Sequence, residues 1–175
     1  TPQLYWAVGA TQQSYPELLE WWAGQNTRGR HLWPGNGTYK VTNTGSVRWP
    51  ASEILQQVTL TRDQSGATGN VHYNMGALVS SVDGLFEKLS DGPYAGPALV
   101  PASPWLSNAR PGTPIVTVTR GSQALTVKVS VPGGRTITTA TPRWWLVRSR
   151  YADGWHAQVV DARAPSVIVN RGRAG

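Results

Sequence analysis

Short apolar runs alternate with amphipathic segments through the first half of the chain. The runs at 3–8, 31–33 and 71–75 are brief and aromatic, which is typical of buried strands in a parallel sheet. Between and after them, apolar residues recur at helical spacing, so helices should separate the strands. The resulting order, β-α-β-α-β-α, predicts parallel strands joined by crossover helices.

The predicted helices have recognisable boundaries. Ser14 and Glu17 stand at the spacing of a capping box, and Pro16 fits the first turn of the helix that follows. A second helix should begin near residue 49, and a third should cover 83–90.

The pattern changes after the third predicted helix. Seven Gly and Pro residues interrupt the segment 96–114, which predicts a linker. Beyond it, short segments alternate between apolar and polar positions, as the strands of a small β-sandwich with five or six strands do. These strands are expected at 115–119, 125–131, 143–150, 155–161 and 166–170.

Charge divides the chain at a similar place. Residues 1–109 carry six basic and seven acidic side chains, which gives −1, whereas residues 110–175 carry ten basic and two acidic, which gives +8. The two sums make the net charge of +7. This shift predicts two domains, 1–109 and 110–175. The basic surplus is either a solvated surface or a surface for an anionic partner.

The predicted α/β domain is incomplete as a barrel. A closed (β/α)8 barrel needs eight strands, and three βα units alone would leave bare strand edges. We therefore expect the missing N-terminal half of a barrel to come from the same polypeptide or from a separate one. The chain starts at Thr1 within an apolar stretch, which also suggests a cut. A small open three-layer domain is the alternative.

Five segments of the first domain carry a family resemblance through their order and spacing. They are Pro2-Gln3-Leu4-Tyr5-Trp6; the helix end Trp21-Trp22; Arg30-His31-Leu32-Trp33-Pro34-Gly35 with Tyr39-Lys40-Val41; Glu53-Ile54-Leu55-Gln56-Gln57; and Ala98-Leu99-Val100-Pro101 before Trp105-Leu106. Together they resemble the C-terminal barrel half of the glycoside hydrolase-like 10 family of bacterial envelope proteins, over about residues 1–107. The ordered set carries this resemblance, since no single segment is a specific motif.

The resemblance implies a fold, a substrate class and a location. The fold class would be α/β plus all-β: about strands six to eight of a (β/α)8 barrel, followed by a small fibronectin-type β-sandwich. The intact protein would hydrolyse an extracellular or cell-wall polysaccharide and would be secreted, periplasmic or held in the envelope. The family in turn resembles the hydrolases of de-acetylated poly-N-acetylglucosamine in biofilms.

The carboxylates of the chain do not stand where barrel catalysis needs them. Glycoside hydrolysis generally uses two carboxyl groups, which in a barrel stand at or just after the carboxyl ends of strands. The nine carboxylates lie in or beside predicted helices or in the second domain. We therefore expect the catalytic acids to lie outside this chain, and we assign no catalytic residue within it.

Aromatic and amide side chains occupy the predicted strand ends instead. Such groups suit a sugar subsite, because stacking faces combine there with a few polar atoms. Structural alternatives stand beside this prediction: core packing for the aromatic residues, a turn for Asn36 before glycine, and a hydrogen-bonded structural role for His72. The candidate substrate-binding residues are Tyr5, Trp6, Trp33, Asn36, Tyr39, His72, Tyr73 and Asn74.

Several other function classes lack support in the sequence. The chain has no Cys, its three His residues are scattered, and no phosphate-binding loop or G-x-S-x-G elbow occurs, so no metal or cofactor is expected. No apolar run is long enough to span a bilayer. Nucleic-acid binding is the weakest hypothesis, because the basic residues form no known recognition motif.

A non-catalytic glycan- or wall-binding module is the main alternative to a hydrolase fragment. It would use the basic second domain, where Trp144-Trp145 and Trp155 lie on predicted strands. In an adjacent pair on a strand, one indole faces inward and the other outward. The outward indole would be either a sugar-stacking platform or a contact with the barrel.

Overall fold

The computed structural model describes residues 1–43, 48–110, 112–131 and 142–170. The chain divides into two compact units, Thr1–Trp105 and Leu106–Gly175. The division falls inside the Gly- and Pro-rich segment 96–114. The assignment of these units to a barrel domain and a sandwich domain stays a prediction.

The first unit contains a parallel sheet of three short strands in the order β1-β2-β3. Leu4 of β1 pairs with Asn36 of β2, which pairs with His72 of β3. The strands are β1 (Gln3–Leu4), β2 (Gly35–Asn36) and β3 (Val71–His72). Helices separate and follow them: α1 (Tyr15–Gln25), α2 (Tyr39–Thr42), α3 (Ala51–Asp63), α4 (Met75–Val79) and α5 (Leu85–Ser90), with a 3₁₀ turn at Val82–Gly84.

Local chemistry fixes the ends of the two long helices. The backbone N–H of Ser14 donates to Glu17 Oε2 at 3.2 Å, and Pro16 lies in the first turn of α1, so the predicted start of this helix is confirmed. At the start of α3, the N–H of Ala51 donates to Asp83 Oδ2 at 2.7 Å. The Asp83 carboxylate therefore supplies an acceptor that the first turn of a helix lacks.

Two apolar clusters pack the helices of this unit. One joins β1 to α1, and the other joins α3 to α2, α4 and α5. The first cluster contains Leu4, Tyr15, Leu19 and Leu32. The second contains Val41, Trp49, Ala51, Ile54, Val58, Ala77, Leu85 and Leu89.

The predicted second strand is wrong in position. Leu32 forms only an isolated bridge with Ala67, and the strand itself lies at Gly35–Asn36. The reason is a close approach of two backbones: the N–H of Gly35 donates to the carbonyl of Pro2 at 2.8 Å. A Cβ at position 35 would lie 3.3 Å from that carbonyl oxygen, so glycine permits the pairing there.

The second unit contains five strands within its described residues, arranged in two antiparallel sheets. One sheet has the order β4-β5-β8, and β6 and β7 form a hairpin. The strands are β4 (Ile115–Arg120), β5 (Ala124–Ser130), β6 (Trp144–Tyr151), β7 (Gly154–Asp161) and β8 (Ser166–Asn170).

Candidate functional site

The two faces of the parallel sheet differ in what covers them. Leu4, Asn36 and His72 are paired in register and therefore share one face. Leu4 packs with Tyr15 of α1, and Asn36 Nδ2 donates to the side chains of Tyr15 (3.1 Å) and Gln57 of α3 (3.0 Å). The helices α1 and α3 thus lie on this face of the sheet.

The opposite face is open to solvent at the two edge strands, whereas Gly35 of the central strand is buried beside the Tyr5 ring. Gln3, Gly35 and Val71 share it, because successive strand residues point to opposite sides. Gln3 is exposed and Val71 is 40% exposed. Tyr5 and Tyr73 each stand two residues after a member of this set, so they continue the open face beyond the strand ends.

Three tyrosines meet at the carboxyl edge of the sheet, and we call them the tyrosine cluster: Tyr5, Tyr39 and Tyr73. Each follows a different strand, and all three pairs of ring centroids lie 5.9 Å apart. Tyr5 and Tyr73 are stacked at an interplanar angle of 21°, and Tyr39 meets both edge-on at 77° and 80°. Parallel strands end at one edge of a sheet, which explains how residues so distant in sequence converge.

Backbone and side-chain hydrogen bonds hold the cluster together. The N–H of Tyr39 donates to the carbonyl of Tyr73 at 2.9 Å. Lys40 Nζ donates to the carbonyl of Tyr5 at 2.5 Å and lies 4.4 Å from the ring centroid of Trp49. Lys40 therefore ties the end of β1 to α2.

The tyrosine cluster is suited to binding. Burial raises the pKa of Tyr5, and the neighbouring Tyr73 and Tyr39 raise it further, so this phenol stays neutral at physiological pH. Tyr73 is 55% exposed, and none of the three hydroxyls hydrogen-bonds to another described residue. A neutral phenol offers a stacking face with one donor and acceptor, whereas proton transfer at neutral pH calls for a group with a lower pKa.

Two further candidates stand beside the cluster in sequence. Trp6 is exposed, and its carbonyl accepts a hydrogen bond from Gln57 Nε2 at 3.2 Å. Asn74 Oδ1 accepts from the N–H of Ala77 at 3.3 Å and so caps α4. The amide of Asn74 thus has a structural task at the first turn of that helix.

Trp33 lies at the other end of its strand, so its prediction as a residue that follows the second strand is wrong. It precedes β2 and stands on the amino side of the sheet. Its indole stacks on His31 with centroids 5.6 Å apart, and Trp33 Nε1 donates to Thr68 Oγ1 at 2.7 Å. The structure does not bring Trp33 to the tyrosine cluster.

Asn36 belongs to the strand itself, not to the turn after it. Its side chain is fully buried on the helix-covered face, where Oδ1 also accepts from Asn70 Nδ2 at 2.8 Å. The hydroxyl of Tyr15 lies 2.7 Å from Thr61 Oγ1, and Asn70 Nδ2 donates to the same oxygen. Tyr15 and Asn70, which both hydrogen-bond to Asn36, are therefore also joined to α3. We call Asn36, Tyr15, Gln57, Thr61 and Asn70 the buried amide network. This placement favours a structural role for Asn36.

His72 also points to the helix-covered side. Its Nε2 lies 2.7 Å from the hydroxyl of Tyr94, and its buried Nδ1 has no hydrogen-bond partner among the described residues. Burial lowers the pKa of His72, and burial raises the pKa of Tyr94 to about 12. The pair is therefore neutral near pH 7 and stands apart from the tyrosine cluster.

Three carboxylates of this unit, Glu17, Glu53 and Asp83, accept hydrogen bonds from backbone N–H groups. Glu53 Oε1, on α3, accepts from the N–H of Val8 at 2.7 Å and from Gln57 Nε2 at 2.9 Å. Glu17 and Asp83 cap helices. Among the residues that the structure describes, no His, Asp and Glu side chains group closely enough to hold a metal ion. No helix of that same part of the chain is long and apolar enough to cross a membrane.

One cavity lies in the second unit and differs in character from the tyrosine cluster. It measures about 760 Å³ and is lined mainly by apolar side chains of both β-sheets, including Val116, Val118, Leu125 and Val127. The described lining contains no carboxylate. Apolar faces of two sheets that meet are the usual interior of a β-sandwich, so we do not place the functional site there.

Two residues beside the tyrosine cluster could not be identified from the sequence alone. Lys40 reaches Tyr5 across 35 positions, and no local pattern signals such a contact. Gly37 lies against two of the rings: a Cβ there would stand 3.5 Å from both Tyr5 and Tyr39, which is ordinary van der Waals contact. The Asn-Gly pair hints only at a turn.

Comparisons with known proteins relate the chain to the glycosyl hydrolases. No family model matches the chain. A curated relative, "Glycosyl hydrolase YngK" of Bacillus subtilis (strain 168), is 35% identical over 118 residues, which are 66% of this chain and 23% of the relative. The chain thus spans less than a quarter of the length of that relative.

Proposed function

We propose that this chain is the C-terminal part of a glycoside hydrolase of the glycoside hydrolase-like 10 type. It would supply about strands six to eight of a (β/α)8 barrel and a fibronectin-type sandwich. In this proposal the tyrosine cluster forms a wall of the substrate cleft, and the catalytic acids lie in the rest of the barrel. The substrate would be an extracellular or cell-wall polysaccharide, which implies a protein outside the cytoplasm.

The tyrosine cluster is the observation that carries this proposal. Active sites of (β/α)8 barrels stand at the carboxyl ends of the strands, and the cluster occupies that edge of the sheet. Tyr5 and Tyr73 also lie on the open face, which would be the interior side in a closed barrel. The 35% identity to a protein named as a glycosyl hydrolase supports the same class independently.

The positions of the carboxylates support a division of labour within the proposed barrel. Glu53, Glu17 and Asp83 each accept a hydrogen bond from a backbone N–H group. Hydrolysis needs two carboxyl groups that flank the scissile bond. A chain that binds sugar with the tyrosine cluster but lacks that pair would hold substrate without cleaving it.

Binding of N-acetylglucosamine oligosaccharides, fully and partly de-acetylated, tests the cleft assignment. Calorimetric titration of the full 175-residue chain should detect binding of at least one of these oligosaccharides. Tyr73→Ala should weaken that binding by about tenfold, since one aromatic contact contributes about 1.5 kcal/mol. Trp21→Ala is the matched control, because Trp21 is an exposed aromatic residue on α1. Equal effects of the two variants would refute the cleft assignment.

A comparison with a longer polypeptide tests the division of labour. Release of reducing ends from the same oligosaccharides should be absent with the 175-residue chain and present with a polypeptide that includes the remaining barrel strands. Cleavage by the 175-residue chain alone would mean that the acids lie within it and that their assignment elsewhere is wrong.

A further inference from the structure

The β6–β7 hairpin presents one face that combines exposed indoles with arginines. Arg150 pairs with Trp155, and Trp144 pairs with Asp161 across the two strands. Alternate residues of a strand share a face, so Trp144, Arg148, Arg150 and Trp155 stand on the same side of the hairpin. We call this surface the arginine–tryptophan face.

This face points away from the other sheet of the unit. The hydroxyl of Tyr151, which belongs to the opposite face of the hairpin, donates to the carbonyl of Asn170 on β8 at 2.9 Å. On the arginine–tryptophan face, Trp144 is 61% exposed and Trp155 is 58% exposed. Such large exposed apolar groups mark interaction surfaces when they cluster.

The two arginines are arranged around one indole. The Cζ of Arg148 lies 4.6 Å from the ring centroid of Trp155, and that of Arg150 lies 6.0 Å from it. Cation–π contact holds a planar guanidinium over the ring while its N–H edge stays available. Among the described residues of this unit, Arg163 forms an ion pair with Asp161 and His156 Nε2 lies 3.0 Å from Asp153 Oδ1, and neither contact involves Arg148 or Arg150.

The spacing along the hairpin gives the face an elongated form. Trp144 precedes Arg150 by six positions, and Trp155 lies opposite Arg150. The two indoles therefore stand roughly 20 Å apart along the strand direction, with the arginines near one of them. An extended chain-like ligand fits such a strip better than a compact small molecule does.

We propose that the arginine–tryptophan face binds an acidic polysaccharide whose sugar rings carry carboxylates. Guanidinium groups pair with carboxylates through two parallel hydrogen bonds, and an exposed indole covers the apolar side of a ring. The charge agrees: residues 110–175 carry ten basic and two acidic side chains, a net +8. Single-stranded nucleic acid fits less well, because its successive bases use closely spaced stacking platforms. This binding goes beyond the proposed cleft and does not depend on it.

Titration of the full 175-residue chain with polygalacturonate oligomers tests the proposal. The double variant Arg148→Gln with Arg150→Gln should bind at least about tenfold more weakly, because it removes both charged donors that pair with the carboxylates. The matched control is Arg120→Gln with Lys128→Gln, which removes the same charge from exposed positions on β4 and β5 and should change affinity by less than about threefold.

Two more measurements separate recognition from general charge or misfolding. Trp155→Ala should weaken binding while circular dichroism and the melting temperature stay as in the unaltered chain. Replacing both Arg148 and Arg150 by Lys keeps the charge but removes the planar guanidinium groups. This variant should bind more tightly than the double Gln variant and more weakly than the unaltered chain.

Four outcomes would overturn the proposal. Equal losses of affinity in the two double variants would assign binding to net charge alone. Fully methyl-esterified polygalacturonate binding as tightly as the acid would exclude carboxylate recognition, and single-stranded DNA binding more tightly would favour nucleic acid. Absence of polygalacturonate binding, with neutral oligosaccharides still bound through Tyr73, would refute this face and leave the proposed cleft intact.

Discussion

Replacement of Asn36 by alanine separates the structural role of this residue from a role in sugar binding. The Asn36 amide is the centre of the buried amide network: Nδ2 donates to Tyr15 Oη at 3.1 Å and Gln57 Oε1 at 3.0 Å, and Oδ1 accepts from Asn70 Nδ2 at 2.8 Å. Alanine removes all three hydrogen bonds at a fully buried position. We expect a loss of stability with no direct loss of a ligand contact.

The size of this stability loss depends on which hydrogen-bond partners of Asn36 keep another partner after the substitution. The Tyr15 hydroxyl and the Asn70 amide both keep a contact with Thr61 Oγ1, at 2.7 Å and 3.1 Å. Gln57 Oε1 loses the partner that Asn36 provides and is left buried. Three hydrogen bonds at about 1 kcal/mol each give a decrease of about 3 kcal/mol in the free energy of unfolding.

Urea unfolding followed by circular dichroism at 222 nm measures this loss in the relevant unit. All helices of the described residues lie in Thr1–Trp105, so the helical signal reports on that unit alone. Asn108→Ala, at an exposed position in the linker, should change the free energy by less than about 0.5 kcal/mol. If Asn36→Ala lowers the free energy of unfolding by less than about 1 kcal/mol, the proposed role of the network is refuted. Lost oligosaccharide binding at full stability would instead make Asn36 a sugar contact.

Titration and backbone packing supply three further predictions. Because burial lowers the pKa of His72, the unfolded chain binds a proton near pH 6.5 that the folded chain does not, so stability should fall as pH decreases below about 6.5, and His72→Gln should flatten this slope in thermal melts from pH 5 to 8. The raised pKa of Tyr94 has the opposite consequence: stability is present below pH 10 and is lost as pH rises toward about 12. Tyr94→Phe should reduce that loss without abolishing it, because the pKa values of Tyr5 and Tyr15 are also raised. Gly92→Ala should cost about 1–3 kcal/mol in urea unfolding, because its Cβ would lie 2.5 Å from a backbone carbonyl oxygen of α5, whereas Gly96→Ala, with open space around it, should cost little; equal costs would contradict the clash.

Local signals in the sequence were sufficient for the start of α1 and the buried side of α3, but they did not indicate the short helix α2 (Tyr39–Thr42). The start of α1 depends on Ser14, Pro16 and Glu17, all within four positions, and the structure has the helix there. The apolar spacing of Ile54 and Val58 likewise identifies the buried side of α3, where both residues are fully buried. Such features follow from 3.6-residue periodicity and capping alone.

Strand positions depend on contacts that the local sequence does not contain. His31-Leu32-Trp33 has the apolar character of a strand, yet pairing occurs at Gly35, where a missing side chain allows contact with Pro2. This displacement of a few residues transfers Trp33 from the carboxyl side of the sheet to its amino side. The candidate site could therefore be located at strand ends from the sequence, but Trp33 could not be separated from Tyr39.

The side of the sheet to which a strand residue points is the other property that could not be predicted from the sequence. Two-residue strands are too short to show period-2 alternation, so nothing in the pattern distinguishes the side of His72 from that of Tyr73. In the structure, the register of His72 with Asn36 and its hydrogen bond to Tyr94 identify the helix-covered side. For this reason the prediction placed both residues at one site, whereas the structure separates them.

The alternation of the strands also connects the open sheet face with the tyrosine cluster. Leu4, Asn36 and His72 point to the helices, so Gln3, Gly35 and Val71 must point the other way, and Tyr5 and Tyr73 follow on that side. In the proposed complete barrel, further strands would cover Gln3 and Val71, while the rings beyond the strand ends would line the mouth. The same register that leaves one face uncovered here would thus place the aromatic wall beside the acids supplied by the remaining strands.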